Sequence, residues 1–219
     1  MNKINTQSKN IIIILWLVII YFLLKYMIPY WNYIIYPITL LVTFLHEFWH
    51  SLWALITWWS VYSIEISSNW AGLATTSWWW RSIVLMWGYI WSAILWNLLL
   101  YIWVKKQKYS ELVIYLLSWI MIFTAVFWYS WITTSIILFL ISFLFIFLAK
   151  YTNYDSIILQ FLWVASILYI IEDFNVWPTS DLAKFSDIFV IFPEFIWMYL
   201  WLFIVLFITY LNLKNIFKK

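Results

Sequence analysis

The chain has 219 residues, of which 67% are hydrophobic and only 10% charged, and its mean hydropathy is +0.93. Soluble domains carry about a quarter of their residues charged, so this composition excludes a water-soluble globule and points to one membrane-embedded domain. The net charge of +3 comes from basic residues at span ends and requires no nucleic-acid partner, and the absence of cysteine excludes a disulfide framework and thiolate chemistry.

Apolar stretches of about 18 residues or more recur, the length a helix needs to cross a bilayer. Seven candidate spans follow, at about 11–28, 33–59, 82–104, 111–129, 131–149, 156–172 and 189–211. The divide between the fourth and fifth rests on Tyr129-Ser130. The expected fold is an all-α polytopic membrane protein of about 6–7 transmembrane helices with a short β-hairpin after the second. It forms a single domain over 1–219 with its core in 33–104 and 156–211.

In the first segment, Lys3 and Lys9 precede an apolar run from Ile11 without an A-x-A cleavage site, which predicts an uncleaved anchor. Lys25 is placed to snorkel to the interface near Pro29. The second span is polar for its depth, with Pro37 near its start. A helical period puts Thr39, Thr43, His46 and His50 on one stripe that should face the interior.

That stripe contains His46-Glu47-Phe48-Trp49-His50, which uses both of the chain's histidines. On a helix, H-E-x-x-H sets two imidazoles at i and i+4 on one face, able to hold one zinc ion. The adjacent glutamate can then activate a zinc-bound water. Two histidines scattered at random over a chain of this length fall four apart only about one time in a hundred, so chance is a weak rival to metal chemistry.

Residues 61–77 break the helical pattern. Val61-Tyr62-Ser63-Ile64-Glu65-Ile66-Ser67 alternates as a strand does, Asn69 to Gly72 reads as a turn, and Leu73-Ala74-Thr75-Thr76 continues as a second strand. Backbone at membrane depth must pair with protein or line a wet cavity. A sheet edge beside such a site can also receive an extended peptide by strand addition; a surface hairpin with no substrate role is the equal alternative.

Lys105, Lys106 and Lys108, then Lys150, then Lys214, Lys218 and Lys219 fall on one side in a seven-span chain. The positive-inside rule makes that side cytoplasmic and puts the acidic 172–187 loop outside; Lys3 and Lys9 run against this assignment. The expected location is the cytoplasmic (inner) membrane, multi-pass.

The H-E-x-x-H residues, then Ser63-Ile64-Glu65-Ile66, Gly72 and Gly88-Tyr89-Ile90-Trp91-Ser92, resemble the site-2-protease-type membrane zinc metalloproteases, in the compact bacterial branch without a PDZ domain. The resemblance is densest over about 40–100 and resumes at Ser180-Asp181-Leu182-Ala183, with Trp197 and Trp201 after it. It implies zinc bound by His46, His50 and a distant aspartate, with Glu47 as general base. Asp181 is the candidate third ligand, although it lacks the D-G sequence of better-known branches; Asp173, Glu172 and a water are its rivals. Counting spans adds to this, because the C-terminal ends of the second and sixth lie on one side of the membrane. The 172–187 loop can therefore return to the histidine helix.

Twenty-one tryptophans stand beside two glycines. Glycine at about 7% of residues would number roughly fifteen in a chain of this length. Trp49 fills the slot where the resembled family favours glycine. Trp58-Trp59 stands where glycine would end a helix with φ > 0. Trp70 falls in the hairpin turn, Trp91 interrupts a G-Y-x-G-S pattern, and Trp78-Trp79-Trp80 lacks a packing rationale. Some bacteria read UGA as glycine, and UGA codons translated as tryptophan would account for these placements; the alternative, an aromatic-rich membrane protein with interfacial tryptophans, suits Trp16 and Trp119 but not Trp49, Trp58 or Trp91.

The expected activity is zinc-dependent endoproteolysis of a membrane-spanning protein within the lipid bilayer. The rival readings are a zinc-binding scaffold that does not cleave and a metal-ion transporter. Purely structural zinc has no need of Glu47, and transporters usually carry internal repeats, which the chain lacks.

Overall fold

The computed structural model describes residues 3–67, 71–77, 81–128, 130–152, 154–173 and 180–217. Among them run α1 (Lys3–Met27), α2 (Trp31–Ile56), β1 (Val61–Ile66), β2 (Gly72–Thr76), α3 (Arg81–Lys105), α4 (Ser110–Phe127), α5 (Ile132–Tyr151), α6 (Asp155–Asp173), α7 (Asp181–Ile188) and α8 (Glu194–Phe217). Long apolar stretches become helices because a bilayer core supplies no water to satisfy backbone N–H and C=O groups, and a helix satisfies them internally. Four described stretches are long and apolar enough to cross a membrane: Val84–Lys105, Gln107–Phe127, Ile132–Tyr151 and Glu194–Ile216. This is a multi-pass membrane protein. Shorter apolar helices cover Ile12–Leu23 and Asp155–Leu168. Helix α2 lies outside the four, in keeping with its polar stripe.

The expected hairpin is present, with β1 and β2 antiparallel and Ile64 opposite Ala74, Glu65 opposite Leu73 and Ile66 opposite Gly72. Its Asn69–Trp70 tip lies outside the described residues, as do Trp78 to Trp80. Ile64 and Ile66 are buried while Ser63 and Glu65, on the opposite face, are only partly so, and one face of β1 thus enters the core. Two elements differ from expectation in the 172–211 region. Part of the loop is helix α7, and the last long helix begins at Glu194 rather than 189, directly after Pro193. Proline cannot continue a preceding helix but is tolerated at the start of the next.

The core gathers around α2 and α3, where Phe44, Leu45, Ala93, Trp96 and Leu99 are almost fully buried. Helix α3 also packs on α6, α7 and α8, and α4 pairs with α5. Some polar side chains inside these helices bond within their own helix and others bridge two helices. Ser118 Oγ donates to Ile114 O, and Ser142 Oγ to Leu138 O. Asn97 Nδ2 donates to Thr209 Oγ1 at 3.0 Å, and Asn212 Nδ2 donates to Asn97 Oδ1 at 3.1 Å, joining α3 to α8. Such bonds hold membrane helices together where lipid gives no hydrophobic drive. The outward faces carry Trp119, Phe127, Leu140, Phe143 and Phe203, as suits contact with acyl chains.

Helix α2 ends in a Schellman motif. Trp58 N–H donates to Leu55 O and Trp59 N–H to Ala54 O, with Trp58 at φ 66°. That left-handed position is the one glycine normally occupies. Trp58 is 95% exposed, so no packing of its indole offsets the backbone cost. The expectation of positive φ holds at Trp58 and not at Trp59.

Candidate metal centre

The site begins on α2, where one helical turn sets His46 and His50 side by side with ring centroids 4.5 Å apart. Thr39, Thr43 and His50 are buried and His46 nearly so, which puts the expected stripe in the interior. Helix α3 supplies the next constraint: His50 Nδ1 lies 2.8 Å from Val84 O. A carbonyl only accepts, so Nδ1 carries the proton and the neutral ring's Nε2 presents a lone pair. Tyr89 packs edge-on against His46 with centroids 4.6 Å apart. Gly88 lies against both imidazoles. A Cβ there would stand 2.3 Å from His50 Cε1 and 3.0 Å from His46 Cε1, so only glycine admits both rings.

Asp181 arrives from the far end of the chain on α7. Ser180 caps that helix, its Oγ accepting from Ala183 N–H at 3.1 Å. Buried Leu182 and Phe185 anchor it, with Phe185 edge-on to Trp197 and Trp201 of α8. Asp181 Oδ2 stands 2.9 Å from His50 Nε2 and 3.2 Å from His46 Nε2, and the two Nε2 atoms are 2.9 Å apart. When the histidines carry protons in the metal-free site, burial raises the Asp181 carboxyl pKa, but the His50 charge and hydrogen bonds from both histidines outweigh it and hold the group well below its ordinary range. It is therefore an anionic donor at physiological pH. Of the rivals, Glu172 and Asp173 close α6, and their side chains lie outside the described residues.

Three electron-pair donors thus converge on one point. A proton relieves one of these contacts, whereas a divalent cation relieves all three. Ligand atoms held at about 2.0–2.1 Å by a tetrahedral zinc stand roughly 3.3 Å apart, so the donor set His, His, Asp fits zinc in type and spacing. Three such donors would leave the fourth position of a tetrahedral ion open, as catalytic rather than structural zinc sites do.

Glu47 is not one of the three convergent donors. Its Oε2 accepts from Ala74 N–H of β2 at 2.8 Å. A cavity of about 120 Å³ opens beside it, lined by Glu47, His50, Asp181 and Lys184 and by Gly72 to Ala74 of the hairpin. Lys184 Nζ is 3.6 Å from Asp181 Oδ1 at the rim.

Sequence reasoning passed over Val84, Ala74, Lys184 and the packing role of both glycines. Ser180 followed by Asp181 was a readable helix start. The chain's two glycines, Gly72 and Gly88, each lie against a residue of the H-E-x-x-H segment.

A family model described as Peptidase M50B-like matches residues 11–212. No curated protein matches the chain, and no solved structure does.

Proposed function

The chain belongs to the Peptidase M50B-like family, the site-2-protease family, and from that premise we propose that it is a zinc-dependent intramembrane endopeptidase of the cytoplasmic membrane. One observation carries this reading: His46, His50 and Asp181 converge on a single point, beside a cavity that His50 and Asp181 line together with Glu47 and β2. These three residues would hold the zinc, which would supply Lewis-acid activation of a water and of the scissile carbonyl. Glu47 takes the water's proton and returns it to the leaving amine nitrogen. A helical substrate keeps its peptide groups bonded to itself. The substrate class is therefore a helix-breaking segment of a single-span membrane protein, and the edge of β2 offers main-chain partners to that segment once it is extended. Stripping the metal with a chelator is expected to abolish cleavage of such a substrate in detergent or liposomes, and equimolar zinc to restore it. Cleavage that persists in protein shown by elemental analysis to be metal-free would sink the reading.

We also propose that Trp58, Trp49 and Trp91 are among the positions where the gene specifies glycine. The left-handed φ of 66° at the exposed Trp58 supports this. So does a pile of indoles between α2 and α3, with Trp49 on Trp91 at 5.4 Å and Trp53 on Trp87 at 4.9 Å. The Nε1 atoms of Trp49, Trp53 and Trp91 are buried without an acceptor among the described residues, and an unpaired buried donor costs about 1–3 kcal/mol. Glycine at 49 and 53, and at 87 and 91, would form small-x-x-x-small pairs that let two membrane helices approach closely. UGA codons are expected at these positions, and UGG codons there would end the idea. Trp58→Gly is expected to stabilise the protein by about 1–2 kcal/mol, read from its unfolding midpoint.

A further inference from the structure

The hairpin is held from two sides, and the second side is Glu47. On the outer edge of β1, Ile64 N–H donates to Trp128 O at 3.1 Å, and Ser130 Oγ donates to Ile64 O at 2.8 Å. Ile66 N–H reaches Thr134 Oγ1 at 3.2 Å. These contacts bind β1 to the α4–α5 connection and the start of α5. Because Ile64 and Ile66 spend these groups outward, their partners Ala74 and Gly72 also turn their backbone groups away from β1, toward α2. Ala74 N–H accordingly bonds Glu47 Oε2 at 2.8 Å. Gly72 lies against the same side chain, where a Cβ would come 2.5 Å from Glu47 Cγ and 2.7 Å from Thr43 Cγ2.

We propose that β2 is the positioning element of the general base: Ala74 N–H holds the Glu47 carboxylate in its working direction, and Gly72 provides the room for that approach. The proposal rests on the protease reading for its consequence, though the contact itself does not. Helix α2 sets where Glu47 starts, but its side chain has three rotatable bonds, and α2 alone leaves the carboxylate free to swing. The α4–α5 connection thereby acts on the catalytic group at one remove, through β1 and then β2.

Ala74→Pro tests this, because it deletes the N–H that Glu47 uses and leaves the β1–β2 ladder bonds in place. Proline is tolerated where a strand N–H faces outward. The expected result is one zinc per chain as in the wild type, KM within about twofold, and kcat lower by about 10²-fold, the effect of misplacing a catalytic group by roughly 1 Å. Gly72→Ala should move in the same direction. A second readout needs no turnover: in metal-free protein, the infrared carboxyl band assigned to Glu47 by difference from Glu47→Gln should shift in Ala74→Pro. Unchanged kcat in the zinc-loaded variant overturns the proposal, as does a loss confined to KM, which would assign the N–H to substrate. An unshifted infrared band overturns it as well. If wild-type protein shows no zinc-dependent cleavage, the protease reading fails, and the infrared band alone then decides whether β2 holds Glu47.

Discussion

Glu47→Gln is expected to lower cleavage by about 10²–10⁴-fold, the range for loss of a general acid–base group, while zinc binding stays intact. The separation of these effects follows from geometry. The three convergent atoms belong to His46, His50 and Asp181, and Glu47 is not among them. Glutamine retains the side-chain length and an oxygen that can accept from Ala74 N–H, so the hairpin contact survives the substitution. What disappears is a carboxylate able to take a proton. Cleavage of a co-expressed single-span substrate, with zinc content measured on the same purified protein, checks both halves. Full activity in the glutamine variant would remove Glu47 from the chemistry and favour a scaffold or a transit site over a protease.

Gly88→Ala should have the second-largest effect, and here the metal itself goes. The added methyl would stand 2.5 Å from His50 Nε2 and closer still to Cε1. His50 cannot swing aside without losing its bond to Val84 O on the same helix. Because the histidine is pinned by α3 and crowded by α3, either the ring rotates off the shared point or the two helices part. Zinc affinity is expected to fall by about 10²-fold or more, the upper range for disturbing what orients a ligating histidine, and activity should fall with it. Competition titration with a chromophoric zinc chelator measures this directly. An alanine variant that retains wild-type affinity would show that the close approach of α3 is dispensable.

Much of the site is readable along the chain because its first half is local. The i, i+4 spacing of His46 and His50 places both rings on one face of any helix that contains them, and the period-two pattern of 61–66 marks β1. The burial of Thr39 and Thr43 follows from the same helical period. Trp58 belongs with these: a helix stop two residues past Ile56 demands a left-handed residue, and the written tryptophan conflicts with that demand.

The rest is not local. Helix α7 spans only Asp181–Ile188, two turns that are too short to stand out between long apolar spans; its Ser180 cap and its anchoring on Trp197 and Trp201 stabilise it. The sequence alone determined a membrane domain, a histidine pair with an adjacent glutamate, and a hairpin close behind. Only the tertiary structure decided that Asp181 meets His50 across 131 residues of chain and that Glu47 faces Ala74. The same packing presses the two glycines against the motif. The reason is physical: spacing within one helix is set by backbone geometry, whereas contact between distant segments depends on how every intervening helix packs.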